Sequence, residues 1–565
     1  MIDNITIENV INMAKSRMGR VDVKLLRKAH EFAIIGHEGQ KRKSGEDYIQ
    51  HPLHTAFTLA KMGMTSETIV AGILHDIAED TGVSLEEVKK EFGEEIAFLV
   101  NGVTKIGNVR LSKERAQTSW QRDKNQDIGE ERSKKETEEE EKEKKKILSD
   151  FEEGEDDGYK NREKEKTAAE KEMHKIDREY VYLENLRRMI LAMAADIRII
   201  LIKLADRLHN MQTLDVLPPQ KQYRIAKETM EIYAPIANRL GIGGIKSMLE
   251  DLAFSYVYPR KYREIEKMTR GKFRQKEKAV AQAIEEMREV LAKENQKIID
   301  IHGRAKHLYS LYHKLLRHHM NLSRIYDLVA IRIIVPEVAN CYEVLGIIHK
   351  YYKPLIGRIK DYISLPKPNG YRSLHTTIFG PGKEIIEVQI RTPQMHYEAE
   401  FGIAAHWIYT EQRSFYSYFL PRSQPAKHIN LKELAWVKQL ENWHKEIGGD
   451  PKEFFESLKI DFFQDRIFAF TPKGDVINLP EGATPVDFAY LVHTEVGHSC
   501  IGAAVNGQKV PLDYKISNGE VVEIVTNRSK KNPDRKWLEF VKTSQARSKI
   551  KTWLRKSSRR GLPKS

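Results

Sequence analysis

Apolar residues recur at helical spacing through the first hundred positions, as in IVAGILHDIAED (69–80) and EEIAFLVNGV (94–103). Residues 20 to about 107 therefore read as short amphipathic helices separated by glycine and polar turns, with no strand-like alternation. From about 110 to 178 the apolar pattern gives way to charge, with KKETEEEEKEKKK followed by EEGEDDGYKNREKEK. Such a segment has little to place in a core and predicts a solvated helix or a disordered insertion. Acidic and basic residues alternate in it, which disfavours a nucleic-acid-binding tail. Helical periodicity resumes at ENLRRMILAMAADIRIILIKLADRLHNM and continues, with short breaks, to about 298.

The period then changes. YDLVAIRIIV and EIIEVQIRT are β-branched runs separated by helix-like segments and the turn-rich PKPNGYRS, which predicts a compact α/β unit over 300–412. A helical linker is expected over 413–463. The segment 464–528 reads as a small β-grasp-like module with short strands, glycine turns and one helix. Residues 529–565 read as a basic helix cut off early.

Length changes this picture little: 565 residues exceed a single core and fit several domains. Charge adds more. The formal net charge of +13 makes polyanionic partners such as nucleotides or RNA plausible. Only Cys341 and Cys500 occur, without metal-ligand spacing, which argues against a disulfide framework and fits a reducing compartment. Cys500 is expected to be a small buried residue. MIDNITIENVINMAK lacks the basic and apolar regions of a signal peptide, and Asp196, Arg198 and Lys203 interrupt the most apolar helix. The expectation is a cytoplasmic protein with no membrane contact.

Two constellations carry chemistry. His51, His75, Asp76 and Asp206 form a mixed nitrogen and oxygen set suited to Mn²⁺, Fe²⁺ or Zn²⁺, with the oxygens favouring Mn²⁺. His75 and Asp76 are expected on one helix, with Glu79 on the same face and Asp80 beside it to orient or deprotonate a water. Asp206 lies on a helix rich in Ile and Leu and needs a partner, either a metal or Arg207. In the α/β unit, Asp327 and Glu387 on predicted strands could hold Mg²⁺ against phosphates. Arg304, Lys306, Lys314, Arg358, Lys360, Lys367 and Arg391 supply positive charge, and Tyr371 offers a face for a base.

KRKSG, YIQHP, HDIAEDT, GVTK and LIKLADRLHNMQT together resemble the HD-type hydrolase domain of RelA/SpoT homologues. GRAKHLYSLYHK, IYDLVAIRIIV, GRIKDYISLPKPNGYRSLHTT and IIEVQIRTPQMHYEAEFGIAAHW resemble the synthetase domain of the same family. DRIFAFTPKGDVINLPEGATPVDFAYLVHTEVGHSC is similar to a TGS domain. The resemblance implies a multidomain α + α/β architecture. It comprises an all-helical HD-type hydrolase domain over 1–217 (carrying the charged insertion), a helical connector over 218–299, a nucleotidyltransferase-like α/β synthetase domain and a β-grasp TGS domain.

It also implies function. The chain would transfer pyrophosphate from ATP to the 3′-hydroxyl of GDP or GTP, and would hydrolyse (p)ppGpp to GDP or GTP and pyrophosphate. Mn²⁺ would sit on His51, His75, Asp76 and Asp206, with Glu79 and Asp80 catalytic and Arg42, Lys43, Asn210 and Thr213 contacting nucleotide. In the synthetase, Asp327 would bind Mg²⁺ and Glu387 would bind metal or activate the 3′-hydroxyl. Tyr371 would stack on guanine near Asn369, and Arg304 would pack on adenine. Lys306, Ser310, Lys314, Lys360, Lys367, His375, Gln389 and Arg391 would contact phosphate or ribose. RIKD at 358–361 matches the basic form of bifunctional members.

His493 or His498 would meet the 3′ end of deacylated tRNA, within a ribosome contact weakened by the expected lack of the usual C-terminal regulatory domains. Two alternatives stay open: a synthetase whose hydrolase is silenced by the insertion, and a non-catalytic ribosome- or tRNA-binding regulator.

Overall fold

The computed structural model describes residues 4–107, 192, 195–325, 328–367, 369–405, 466–527, 529 and 532–559. The charged insertion and the 413–463 linker lie outside the described residues.

Helices Ile7–Arg17, Val23–Gly36, Gln50–Lys61, Ser66–Ile73, Leu85–Phe92 and Glu94–Gly107 pack with Ile197–Gln212 around one apolar core. Several start on a side-chain cap: Thr6, Asp22, Thr65 and Ser84 each accept from a backbone N–H of the first turn. Ile197–Gln212 is buried along most of its faces, as a central helix must be, so the polar Asp206 and His209 on it require partners.

The same core runs on through the connector. Helices Pro219–Glu228 and Ala234–Arg239 flank a π-helical turn, Thr229–Tyr233, and Gly243–Val257 follows. Leu240, Ile242, Ile245 and Leu249 join the core, and so does Ala404 from beyond the sheet. The seam is built from glycines. Gly402 takes φ +53°, and a Cβ there would lie 2.0 Å from the Leu240 carbonyl oxygen. Next to it, Ile403 N–H donates to that same oxygen at 2.9 Å. Across the seam, a Cβ on Gly241 would come within 2.8 Å of the Asn369 carbonyl oxygen.

The α/β unit holds a five-stranded sheet in the order β1 (Asp300–Ala305), β2 (Val329–Ile334), β5 (Ile385–Arg391), β4 (Leu374–Phe379), β3 (Lys360–Asp361). β2 and β5 are parallel and the other pairs antiparallel. One face packs on helices Pro259–Lys293 and Val338–Tyr351 through Ile331, Ile333, Ile386, Val388 and Ile390. With a side-chain period of two, Arg332, Glu387, Gln389 and Arg391 fall on the other face. Register aligns them into a row: His302 opposite Arg332, Arg332 opposite Gln389, Gln389 opposite His375, and His375 opposite Lys360.

The last module pairs β6 (Arg466–Phe470) with β7 (Val476–Pro480), and β10 (Val522–Thr526) with β8 (Cys500–Val505), which also pairs β9 (Gln508–Val510). It has two helices, Pro485–Val492 and Thr494–His498, where sequence pattern predicts one. Buried Asp487 accepts from Thr543 N–H at 2.7 Å and Thr543 Oγ1 at 2.8 Å, which ties helix Ser544–Arg559 to the module. Cys500 is buried as expected. Among the described residues no helix is long and apolar enough to cross a membrane.

Two candidate active sites

His75 and Asp76 are not on one continuous helix. Ser66–Ile73 ends just before them, and Asp76 caps the one-turn helix Ile77–Asp80. On a regular helix adjacent side chains diverge by about 100°; the break lets both reach the same point. His75 Nε2 lies 3.1 Å from Asp76 Oδ1 and 3.9 Å from Asp206 Oδ1. His51 Nε2, contributed by Gln50–Lys61, lies 3.3 Å from Asp76 Oδ2 and 3.2 Å from Asp206 Oδ1. Arg207 is not the partner of Asp206: it pairs with Glu228, while Lys203 Nζ sits 2.9 Å from Asp206 Oδ2. Residue 203 is three positions back on the helix and shares the face of Asp206, whereas 207 points elsewhere.

This set fits a divalent ion. Ligand atoms of His51, His75 and Asp76 all lie within 4.8 Å of one another. Buried His75 Nε2 makes no hydrogen bond, while its Nδ1 is 2.9 Å from the Gly72 carbonyl oxygen, the arrangement that leaves Nε2 bare for a metal. Burial opposes charge on His75, but Asp76 and then Asp206 outweigh it and raise the imidazole to about 9, so a metal at Nε2 would displace a proton there. Burial likewise opposes charge on the two carboxylates, yet both are held well below the usual range. His75 and His51 do this for Asp76, and Lys203 and His51 for Asp206.

Around this centre stand the groups that would meet substrate. Exposed Glu79 has its carboxyl pushed up by burial of its immediate surroundings and by Asp76 and Asp80, against the pull of Lys203. Tyr48 OH donates to Asp76 Oδ2 at 3.1 Å and also to Asp80. Arg42 donates to Asn210 Oδ1 at 2.9 Å. Lys43 is exposed in the same loop, and Thr213 Oγ1 donates to the His209 carbonyl at 3.1 Å. Tyr48, Lys203 and His209 are additions that motif reading did not single out.

The second site lies on the polar sheet face. Five side chains form a closed hydrogen-bonded ring. His375 Nδ1 contacts Glu387 Oε1 at 3.1 Å, and Gln389 Nε2 donates to that same oxygen at 2.9 Å. Arg391 donates to Gln389 Oε1 at 2.8 Å and to Tyr371 OH at 3.2 Å, and Tyr371 OH reaches His375 Nε2 at 2.8 Å. Burial opposes the Glu387 charge, but His375, Gln389 and the Lys314 cation bring its carboxyl down to about 2. His375 is lowered by burial, with Lys367 and Arg391 adding to it against Glu387.

Lys367 Nζ sits 5.0 Å from the Tyr371 ring centroid, and Asn369 Oδ1 accepts from Tyr371 N–H at 3.3 Å. Ser310 and Lys314 are one helical turn apart on Leu308–Arg317. Lys360 is exposed at the end of the cross-strand row, and Lys306 N–H donates to the Leu328 carbonyl at 2.9 Å. Asp327 lies outside the described residues; β2 begins at Val329, two positions beyond it.

Motif reading missed Arg332. It is 4 % exposed, and its NH1 shares Glu400 Oε1 with Arg304, each at 3.2 Å. Burial, with Arg391 and Arg304 nearby, lowers the Arg332 guanidinium to about 10. It remains charged at neutral pH, and its Nε and NH2 make no hydrogen bond. Three guanidinium groups facing one carboxylate leave a positive excess suited to phosphate.

In the last module, His493 is exposed and its Nδ1 accepts from Glu495 N–H at 3.2 Å, whereas His498 packs 5.6 Å from the Tyr490 ring.

Comparison with known proteins identifies three families along the chain. A region found in RelA / SpoT proteins matches residues 303–414, an HD domain matches 29–146 and 159–243, and a TGS domain matches 467–526. A GTP pyrophosphokinase of Myxococcus xanthus is 42% identical over 538 residues, covering 95% of this chain and 61% of that protein. A bifunctional (p)ppGpp synthase/hydrolase RelA of Mycobacterium tuberculosis is 40% identical over 557 residues, covering 98% of this chain and 66% of that protein. The chain thus spans less than two thirds of the length of these curated relatives. Among solved structures, the small alarmone synthetase 1 of Bacillus subtilis bound to pppGpp is 21% identical with a TM-score of 0.22, covering 33% of this chain and 95% of that one.

Proposed function

The chain belongs to the RelA/SpoT family, and on that premise we propose that it both makes and destroys (p)ppGpp, with the two reactions at separate sites. The observation that carries this reading is that both polar sites are furnished in one chain: a convergent two-His, two-Asp centre and a cation-rich sheet face around Glu387.

For hydrolysis, His51, His75, Asp76 and Asp206 would hold a divalent ion, taken to be Mn²⁺ from the balance of nitrogen and oxygen donors. When bound, such an ion supplies Lewis acidity and lowers the pKa of a coordinated water. Glu79, with its raised carboxyl, and Asp80, steered by Tyr48, are the proton-handling groups. Arg42, Lys43, Asn210 and Thr213 would bind nucleotide. The products are GDP or GTP and pyrophosphate, one water being consumed and the 3′ oxygen leaving with a proton.

For synthesis, the 3′-hydroxyl of GDP or GTP attacks ATP, pyrophosphate is transferred and AMP departs. Glu387, a carboxylate at neutral pH, is positioned by His375 and Gln389 to take the hydroxyl proton or to hold Mg²⁺ with Asp327. Arg304, Lys306, Ser310, Lys314, Lys360, Lys367 and Arg391 would neutralise phosphates, and Tyr371, braced by Asn369, would stack on guanine. The domain boundaries at 217, 299, 412, 463 and 528 belong to this proposal. So do a cytoplasmic location and a tRNA contact, for which exposed His493 is the better placed of the two histidines.

The test measures pyrophosphate release from ppGpp with Mn²⁺ alongside ATP-dependent pyrophosphate transfer to GDP. Release is expected from the intact chain and not from a His75→Ala/Asp76→Ala variant that still performs transfer. Release that survives the double substitution would refute the hydrolase assignment.

A further inference from the structure

His209 is 2 % exposed and lies one turn beyond Asp206 on helix Ile197–Gln212, so both face the same centre. Its Nδ1 is 2.9 Å from Arg42 NH1 and 2.8 Å from His51 Nδ1. A guanidinium can only donate, so Nδ1 of His209 must be the bare, accepting nitrogen. It then has no proton to give His51, and His51 Nδ1 must carry one and donate it to His209. The remaining nitrogen of His51, Nε2, is the one that faces Asp76 and Asp206. His75 solves the same problem with the Gly72 carbonyl. His51 solves it with a second imidazole whose own polarity is dictated by an arginine. The His54 ring lies flat on His209, with centroids 4.3 Å apart and planes 22° apart, and Asn210 receives the second nitrogen of Arg42.

We infer that His209 is a positioning residue that fixes the tautomer of His51 and, through the same ring nitrogen, holds Arg42, so that one imidazole joins the metal end of the hydrolase site to its nucleotide end. The inference rests on the proposed role of His51 as a metal ligand. It adds a consequence which that role lacks: a substitution at Arg42, which contacts His209 and Asn210, weakens metal binding, and a metal bound at His51 steadies Arg42 for the nucleotide.

The test is Mn²⁺ affinity, read by the free-ion electron paramagnetic resonance signal and by calorimetry on the full chain. Pyrophosphate transfer by the synthetase, in the same preparations, serves as the folding control. His209→Phe keeps a ring against His54 but has no acceptor, and its affinity is expected to fall about 10- to 100-fold. His209→Gln restores an accepting oxygen and is expected to regain much of that loss. Arg42→Met is expected to weaken Mn²⁺ about tenfold.

Affinity in His209→Phe equal to wild type would overturn the inference, as would equal losses in the Phe and Gln variants, which would mark a space-filling role. Should His209→Phe lose the control activity, Arg42→Met decides, and unchanged affinity there overturns it. A wild-type chain with no Mn²⁺ site sensitive to His75→Ala/Asp76→Ala would instead sink the metal assignment itself.

Discussion

The two candidate sites gather charge in different ways. In the helical unit the carboxylates of half-buried Asp76 and buried Asp206 converge with two imidazoles, and Lys203 is the cation paired with Asp206. On the sheet, Arg304, Arg332 and Arg391 cluster near the Glu400 carboxylate, beside the ring that holds Glu387. Under the proposed function the first arrangement would meet phosphate through a metal together with Arg42 and Lys43, so hydrolysis would follow metal supply. The second has its positive charge built in, at the cost of desolvating guanidinium groups. Under the proposed function, opposed reactions would be separated by electrostatics as well as by distance along the chain.

That contrast can be broken in graded steps. Glu387→Gln should reduce pyrophosphate transfer about 1,000-fold while leaving ppGpp hydrolysis within about twofold, measured by product chromatography. A comparable fall in hydrolysis would mean that the sites are not chemically independent. Arg332→Gln should cost transfer about 10- to 100-fold. An unaltered rate would reduce Arg332 to a structural partner of Glu400. On the other side, Tyr48→Phe removes the donor to Asp76 and Asp80 and should slow hydrolysis about tenfold, with transfer unaffected.

The smallest effect is on stability. Glu387 has its folded-state value lowered to about 2 from an ordinary 4.5, so its contribution is complete above pH 4.5 and is lost as pH falls toward 2. The melting-temperature advantage of wild type over Glu387→Gln, worth a few kcal/mol at most, should shrink between pH 5 and pH 3. A constant difference would contradict the depressed value.

Much of this was legible in the chain itself. EIIEVQIRT alternates so strictly that the inward Ile386, Val388 and Ile390 and the site-facing Glu387, Gln389 and Arg391 separate on sight. The convergence of His51, His75, Asp76 and Asp206 was legible through motif wording. The helix break at His75 was not, because apolar spacing runs through IVAGILHDIAED without interruption and Gly72, the one breaker residue there, sits inside the last turn rather than after it. The Arg207 alternative for the partner of Asp206 fails, and Lys203 stands there instead, since adjacency in sequence is not adjacency on a helix surface. His209 and Arg332 stayed hidden for a shared reason. Each is a polar residue inside an apolar run, and its role comes from partners 158 and 68 positions away.

The glycine seam has a consequence for anyone dividing this chain. Ala404, which follows the sheet in sequence, packs into the helical core, and Gly402 and Gly241 lie too close to neighbouring backbone for any larger residue. A hydrolase fragment ending before the sheet would therefore expose an apolar surface at Leu240 and Ile242 that the intact chain keeps covered. The same cut would part Asn369 from the Gly241 backbone it packs against. The two halves are better regarded as one folding neighbourhood with two addresses, and protease sites or fusion points belong elsewhere than at 240–242 and 402–404.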